Sequence, residues 1–305
     1  MLRSLCNMSS NIQKGATFQP PQASQSQQQK PGLEQKMAPA SEVTKLDGSE
    51  GLVEYVGANK LKGKKVLITG GDSGIGRSVA VLMAREGADI SIVYLPQEQS
   101  DAEDTKKMVE AENQKCLLIP GDLRKYDFCR HAVDEHVKQH GGLNVLVNNA
   151  SKQFSCKDFA QIDLEKVEDV FQSNILQMIA ITKYALPHLS KGDSIINNTS
   201  VVAFRGTAGM VDYAATKGAI VGFTRSLAQQ LMPKGIRVNA VAPGVIYTPI
   251  QADTRDEKGM ENLGAQKGLG RPGQASEVAT SFVFLASNDA SFYYGQIMHC
   301  YPLGD

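Results

Sequence analysis

Tyr213 and Lys217 stand four residues apart in the run Tyr213-Ala214-Ala215-Thr216-Lys217, a spacing that puts both side chains on one face of a helix. A free phenol ionises near a pKa of about 10, and an ammonium beside it lowers that value by about 1 to 3 units. The two are therefore read as an acid–base pair. Ser200 lies 13 residues upstream, just past an apolar run, where its hydroxyl can donate to an oxygen on which charge develops. Asn174 sits in Phe171-Gln172-Ser173-Asn174-Ile175-Leu176, inside an apolar helical pattern where an amide needs a partner to be buried.

A second set of residues has the chemistry of an anion cradle. The run Thr69-Gly70-Gly71-Asp72-Ser73-Gly74-Ile75-Gly76-Arg77 follows directly on the apolar VLIT at 66–69 and precedes a helical pattern. Strand, glycine turn and helix start bring free backbone N–H groups and the helix dipole to one point, where a pyrophosphate can sit. Gly70 permits the tight turn, Gly74 the approach of backbone to phosphate, and Gly76 close packing of helix on strand. Asp122, after a later strand, is placed to accept a hydrogen bond from an adenine amino group, and Asn148-Asn149-Ala150 ends another strand beside the same crevice. Pro243-Gly244-Val245-Ile246-Tyr247-Thr248-Pro249 ends a further one. His136 and His140 are also four apart, but no third ligand accompanies them, so no metal site is expected and both are read as surface residues.

These groups need a scaffold that delivers them to one edge. Short apolar runs at 66–69, 89–94, 116–120, 144–149, 194–198, 236–241 and 295–300 alternate with segments whose apolar residues recur at three and four. Strands apolar on both faces, separated by helices, require a parallel sheet covered on two sides. The expected fold is therefore α/β, a doubly wound parallel seven-stranded sheet with helices on both faces and right-handed crossovers. It occupies residues 46–305 as one domain. Residues 1–45 are rich in Gln, Ser and Pro, are read as a flexible extension, and are expected to be dispensable for folding and for cofactor binding. The first 18 contain Arg3 and Lys14 but no acid, a weak likeness to a mitochondrial presequence.

The chain of 305 residues carries 32 Lys and Arg against 32 Asp and Glu, so no overall field draws it to nucleic acid or to an anionic membrane. Its apolar runs, of about 5 to 8 residues, fall far short of the roughly 20 needed to cross a bilayer. Five cysteines without a CxxC pair speak for reduced thiols and a cytoplasmic setting rather than disulfides or structural zinc.

Taken together, TGxxxGxG at 69–76, the NNA at 148–150, the Ser-Tyr-Lys set and the Pro-Gly at 243–244 resemble the short-chain dehydrogenase/reductase family over residues 60–303, with GGDSGIGR and the polar extension most similar to its glucose and ribitol dehydrogenase-like branch. The resemblance implies a Rossmann-type fold and an NAD(P)-dependent oxidoreductase that interconverts a small-molecule alcohol and carbonyl. It assigns Ser200, Tyr213, Lys217 and Asn174 to catalysis, Asn174 holding a proton-relay water. It lays cofactor contacts on Gly70, Ser73, Gly74, Ile75, Gly76, Tyr94, Asp122, Leu123, Asn149, Ala150, Tyr213, Lys217, Pro243, Gly244, Ile246 and Thr248. Thr248 matches the hydroxyl residue that meets the nicotinamide carboxamide.

Ser151 replaces the glycine the family commonly has after its NNA, which makes Lys152, Gln153 and Phe154 candidate wall residues. The second strand ends Tyr94-Leu95-Pro96 with neither the acid that selects NAD nor a basic partner for a 2′-phosphate, and Ser73 stands where NADP-preferring members often have a basic residue. Glu98, Asp101 and Glu103 are read as too far along the next helix to matter, which tips the choice toward NADP over NAD. The segment 251–271, polar and glycine-rich, falls where the family places its substrate lid. Apolar residues in excess of one buried face, among them Ile175, Met178, Ile179, Ile220 and Phe223, imply a homotetramer or homodimer. A dehydratase or isomerase on the same fold and a catalytically silent nucleotide-sensing scaffold are the rival readings.

Overall fold

The computed structural model describes residues 29–265 and 268–302, together with Phe18, Ser26 and Gln27. The chain opens with a hairpin, β1 (Lys45–Gly48) and β2 (Gly51–Glu54), and then alternates strand and helix. The strands are β3 (Lys65–Thr69), β4 (Asp89–Tyr94), β5 (Cys116–Pro120), β6 (Val145–Asn148), β7 (Ser194–Asn198), β8 (Arg237–Pro243) and β9 (Ile297–Cys300). The helices are α1 (Gly74–Arg85), α2 (Gln99–Ala111), α3 (Tyr126–His140), α4 (Leu164–Phe171), α5 (Gln177–Ala185), α6 (Val202–Arg205), α7 (Val211–Leu231), α8 (Pro249–Ala252), α9 (Glu257–Glu261) and α10 (Ala275–Ala286).

The seven strands pair in parallel in the order β5-β4-β3-β6-β7-β8-β9. Chain direction across the sheet therefore reverses between β3 and β6, and their carboxyl ends flank the switch point where open α/β sheets bind ligands. Thr69 is in register with Asn148 there. One apolar layer joins β3 and β4 to α1 and α10, the other joins the sheet to α3, α5 and α7. Leu67 and Ile68 point to opposite layers and both are fully buried, so truncating either to Ala should cost about 2–5 kcal/mol.

Four features differ from the sequence reading. Residues 1–45 were expected to form a flexible extension, yet the described part of that stretch lies on the core. Met37 is buried with Tyr247, Ala252, Met260 and Leu263, and Tyr247 donates to Pro39 O. The boundary expected at residue 45 falls inside the first hairpin strand. Composition misled because polar side chains hold much of this segment: Glu34 is buried and fully hydrogen-bonded, a gain that an apolar count cannot register. The presequence-like residues, apart from Phe18, lie outside those described.

His136 and His140, read as surface, are buried beneath β4, where Nδ1 of His136 and Nε2 of His140 share the Ser91 hydroxyl at 2.7 and 3.1 Å. Burial, with His140 nearby, pushes His136 down to about 3. The segment 251–271 contains α8 and α9 and buries Met260 and Leu263. Of the apolar residues read as interface, Ile175, Met178 and Ile220 bury one another, with Phe223 packed against them, and Ile179 stays exposed; Leu164, Leu176 and Val211, which that reading did not name, are exposed as well.

Candidate active site

The carboxyl ends of the strands open onto a cleft of about 250 Å³. Its floor is set by buried amides. Asn148 Nδ2 donates to Asn197 Oδ1 at 2.9 Å, and Asn198 Nδ2 to Asn149 Oδ1 at 2.8 Å, so β6 and β7 end level. Asn149 Nδ2 also donates to Gly70 O at 2.7 Å, while Thr69 Oγ1 accepts from the N–H groups of Asn149 and Ala150. The glycine loop is thereby fixed against the next strand of the switch point.

That loop has room only for glycine. Gly70 takes a φ of 62°, and a Cβ on it would lie 3.0 Å from Ala150 Cα. A Cβ on Gly76 would lie 1.8 Å from Gly70 O. Ser73 precedes α1 without making a side-chain cap bond, which leaves first-turn N–H groups for an external acceptor. Close backbone, a helix start where Ser73 caps nothing and Glu34 takes the Gly74 N–H alone, and the adjacent cleft suit a dinucleotide's pyrophosphate.

At the other end of the cleft, β7 delivers Ser200 and the first turns of α7 deliver Tyr213 and Lys217. The hydroxyls of Ser200 and Ser151 lie on the Tyr213 side of the cleft and act to favour its ionised form. Lys217 is buried one turn on, its Nζ donating to Asn198 O at 2.9 Å and lying 5.3 Å from the Tyr213 ring centre. Thr199 Oγ1 donates to Lys217 O at 2.7 Å and ties that helix to the strand end. Asn174 lies in a π-helical turn, Gln172–Leu176, between α4 and α5. Its amide copies a peptide: Oδ1 accepts from Lys152 N at 2.7 Å, and Nδ2 donates to Lys152 O at 2.8 Å and to Thr216 Oγ1 at 3.1 Å. The extra residue of a π turn rotates that side chain out of the helix register, a device common at functional sites.

The family model described as enoyl-(acyl carrier protein) reductase matches residues 70–300. An NADPH-dependent aldehyde reductase of Arabidopsis thaliana chloroplasts is 44% identical over 281 residues, covering 90% of this chain and 95% of the relative. A glucose and ribitol dehydrogenase of Daucus carota is 42% identical, covering 92% of this chain and 94% of the relative. A crystal structure of a short chain dehydrogenase from Burkholderia cenocepacia in complex with NADP superposes with a TM-score of 0.74 at 31% identity, over 79% of this chain and 97% of that one. The chain belongs to the short-chain dehydrogenase/reductase family. It is an oxidoreductase with the family's Rossmann-type fold.

In this short-chain dehydrogenase/reductase the cleft wall includes Gly70, Ser73, Gly74, Ile75, Tyr94, Asp122, Leu123, Asn149, Ala150, Ser200, Tyr213, Lys217, Pro243, Gly244, Ile246 and Thr248. Gly76 and Asn174 stand behind it, the first packing helix against loop and the second clamping residues 151–152. Of the three wall residues that Ser151 suggested, Lys152 and Gln153 line the cleft, whereas Phe154 is flanked by the ammonium groups of Lys30 and Lys166.

The electrostatics depart from the sequence reading at the pair that opened it. Burial pushes the Tyr213 phenol up to about 12 and the Lys217 ammonium down to about 7. Loss of water is the largest influence on both groups, and Lys217 spends its hydrogen bond on a backbone carbonyl rather than on the phenol. At neutral pH the phenol is thus held as a proton donor. At the far end, the Arg124 guanidinium forks onto Asp122 and holds that carboxyl below the usual range. Arg124 also pairs with Asp169 at 2.6 Å, and Asp169 with Lys152 at 2.7 Å.

Glu98, read as too distant, lines the cleft. The 3-10 turn Pro96–Glu98 folds it back so that its carboxylate accepts from Leu95 N at 3.0 Å. Burial near Asp72 pushes Glu98 up to about 8, and burial pushes Asp72 itself up to about 6. The sequence offered no capping-box signal for it, because Leu95 has no side-chain acceptor and the turn is closed by Glu98 N donating to Leu95 O. Lys30, Pro31 and Gly32 also line the cleft, and no motif pointed to them. Among the described residues no cluster of three His, Cys, Asp or Glu could hold a metal ion, and no helix is long and apolar enough to cross a membrane.

Proposed function

We propose that the protein is an NADP(H)-dependent carbonyl reductase that also runs as an alcohol dehydrogenase, with Ser200, Tyr213, Lys217 and Asn174 as its catalytic set. The carrying observation is that Ser200, Tyr213 and Lys217 line one end of a cleft whose other end is a glycine cradle, with the phenol pushed up to about 12 by loss of water. The nicotinamide, when bound, supplies or accepts the hydride. Tyr213 gives its proton to the carbonyl oxygen in reduction and takes it back in oxidation. Ser200 is the donor available to the substrate oxygen as charge gathers on it. Lys217 lies beside the phenol to supply the compensating proton. Asn174 keeps residues 151–152 against α7 and orders a relay water from there.

The cofactor reading rests on the NADP complex and on the NADPH-dependent relative, with NAD as the alternative because Glu98 and Asp72 put acids at the ribose end. The substrate is a small aldehyde, ketone or sugar, in keeping with the two named relatives. Exposed Leu164, Leu176, Ile179 and Val211 support a homodimer or homotetramer, and the four free cysteines among the described residues support a reducing, cytoplasmic setting.

The test is purified full-length protein with NADPH or NADH and a panel of aldehydes, ketones and sugars, followed by loss of nicotinamide absorbance. Turnover with NADPH is expected, with kcat/KM at least about threefold above that with NADH. No oxidation of either cofactor by any carbonyl would overturn the oxidoreductase role. Water loss or isomerisation without net cofactor oxidation would favour the lyase or isomerase rival.

A further inference from the structure

The segment before the hairpin reaches the cleft at three points. Lys30 Nζ pairs with Asp253 Oδ1 at 2.5 Å and donates to Thr254 Oγ1 at 3.1 Å, which fastens it to the stretch beyond Pro249. Gly32 N donates to Asp253 Oδ2 at 3.0 Å, and a Cβ on Gly32 would stand 2.5 Å from Pro249 O. Glu34 then reaches the opposite bank, where its Oε2 accepts from the N–H of Gly74, in the phosphate loop itself, at 2.8 Å. The other Glu34 oxygen accepts from Ser41 N, and the Asp101 carboxylate accepts from the N–H groups of Glu34 and Gln35. The segment spans from the substrate-side lid to the glycine loop, with Lys30, Pro31 and Gly32 facing the cleft and Glu34 behind it.

This arrangement lies outside the family's common domain. The family match begins at residue 70, and the NADP-bound structure uses 97% of its own chain to cover 79% of this one. A match over 92% of this chain, as with the carrot relative, must by contrast enter the first 45 residues. The strap thus precedes the residues that the family model matches and falls in a part of the chain that the longer relatives' matches enter.

We propose that residues 30–34 form a further wall of the dinucleotide site, with Pro31 and Gly32 closing over the bound cofactor and Glu34 acting as a positioning residue that sets the Gly74 N–H. The inference rests on the dinucleotide reading of the cleft. Glu34 lies off the cleft wall, so its charge orients the loop from behind and leaves the remaining first-turn N–H groups to the phosphates. Asp253 joins strap and lid, so cofactor retention and lid position are coupled through one carboxylate.

Full-length wild type, Glu34→Ala and Gly32→Val are compared for NADP+ and NAD+ binding by calorimetry and for steady-state kinetics. A strap that binds cofactor predicts a dissociation constant raised about tenfold or more in both variants, with kcat at saturating cofactor within about twofold. A merely structural segment would lower the melting temperature and leave Kd within about twofold, which overturns the proposal. Should the variants fail to fold, hydrogen exchange of residues 29–37 in wild type decides. Slower exchange with saturating NADP+ or NAD+ supports the strap, and unchanged exchange overturns it. Wild type that binds neither dinucleotide would overturn both the strap and the dinucleotide reading, whereas binding wild type with unaffected variants overturns the strap alone.

Discussion

The two ends of the cleft control charge by opposite means. At the proposed catalytic end Lys217 is buried and Tyr213 half-buried, and loss of water moves both toward their neutral forms. At the proposed adenosine end Asp122, Arg124, Asp169 and Lys152 neutralise one another in a chain of ion pairs, with Arg124 still 42% exposed. Burial gives effects that salt cannot screen and that depend on single groups. Paired surface charges give small effects that salt removes. On the proposed mechanism the reacting end needs a phenol that keeps its proton until the carbonyl takes it. The recognition end needs only to hold a carboxylate in the right fork.

The largest break in that contrast is Tyr213→Phe, which removes the proton donor but little volume. Turnover should fall about 10²- to 10⁴-fold, with the NADP+ dissociation constant within about threefold of wild type. Stopped-flow turnover and cofactor titration check it, and retention of more than about a tenth of the rate would remove Tyr213 from the acid's role.

Lys217→Met tests desolvation directly through stability. Burial pushes the native ammonium down to about 7, from an ordinary lysine value of 10.5. Between those values the unfolded chain binds the extra proton, so this group's contribution to stability rises with pH across that window and is lost as pH falls to 7. A slope approaching about 1.4 kcal/mol per pH unit is expected in wild type relative to the variant. Parallel melting curves from neutral to alkaline pH would show that Lys217 keeps its proton in the folded protein.

Arg124→Met is the smallest effect. It should raise the cofactor KM about two- to fivefold, because a half-exposed pair is worth at most about 1 kcal/mol. High salt should bring wild type toward the variant. A salt-independent loss would mean that Arg124 touches the cofactor itself rather than orienting Asp122.

Much of the cleft was readable because its residues are forced by backbone geometry. Gly70 must adopt a positive φ, Gly76 must let Gly70 O within touching range, and Tyr213 and Lys217 must share a helical face. Such requirements leave a residue type at a fixed spacing. Glu98 and the histidines were misplaced for the opposite reason. Their positions depend on a single 3-10 turn and on Ser91 lying inward on a neighbouring strand, neither of which alters local periodicity.

From its residues alone this chain determines a parallel seven-stranded sheet, a glycine cradle at its first βα turn and a Ser-Tyr-Lys set two strands away, because each is written in local patterning. Tertiary structure decided what surrounds those groups: which of Tyr213 and Lys217 loses water, whether Asp122 is free or forked, and whether residues 30–32 stand apart from the cleft or line it. Those outcomes depend on which groups lose water and which meet across more than 200 residues of chain, as Lys30 meets Asp253, and no window of sequence contains both partners.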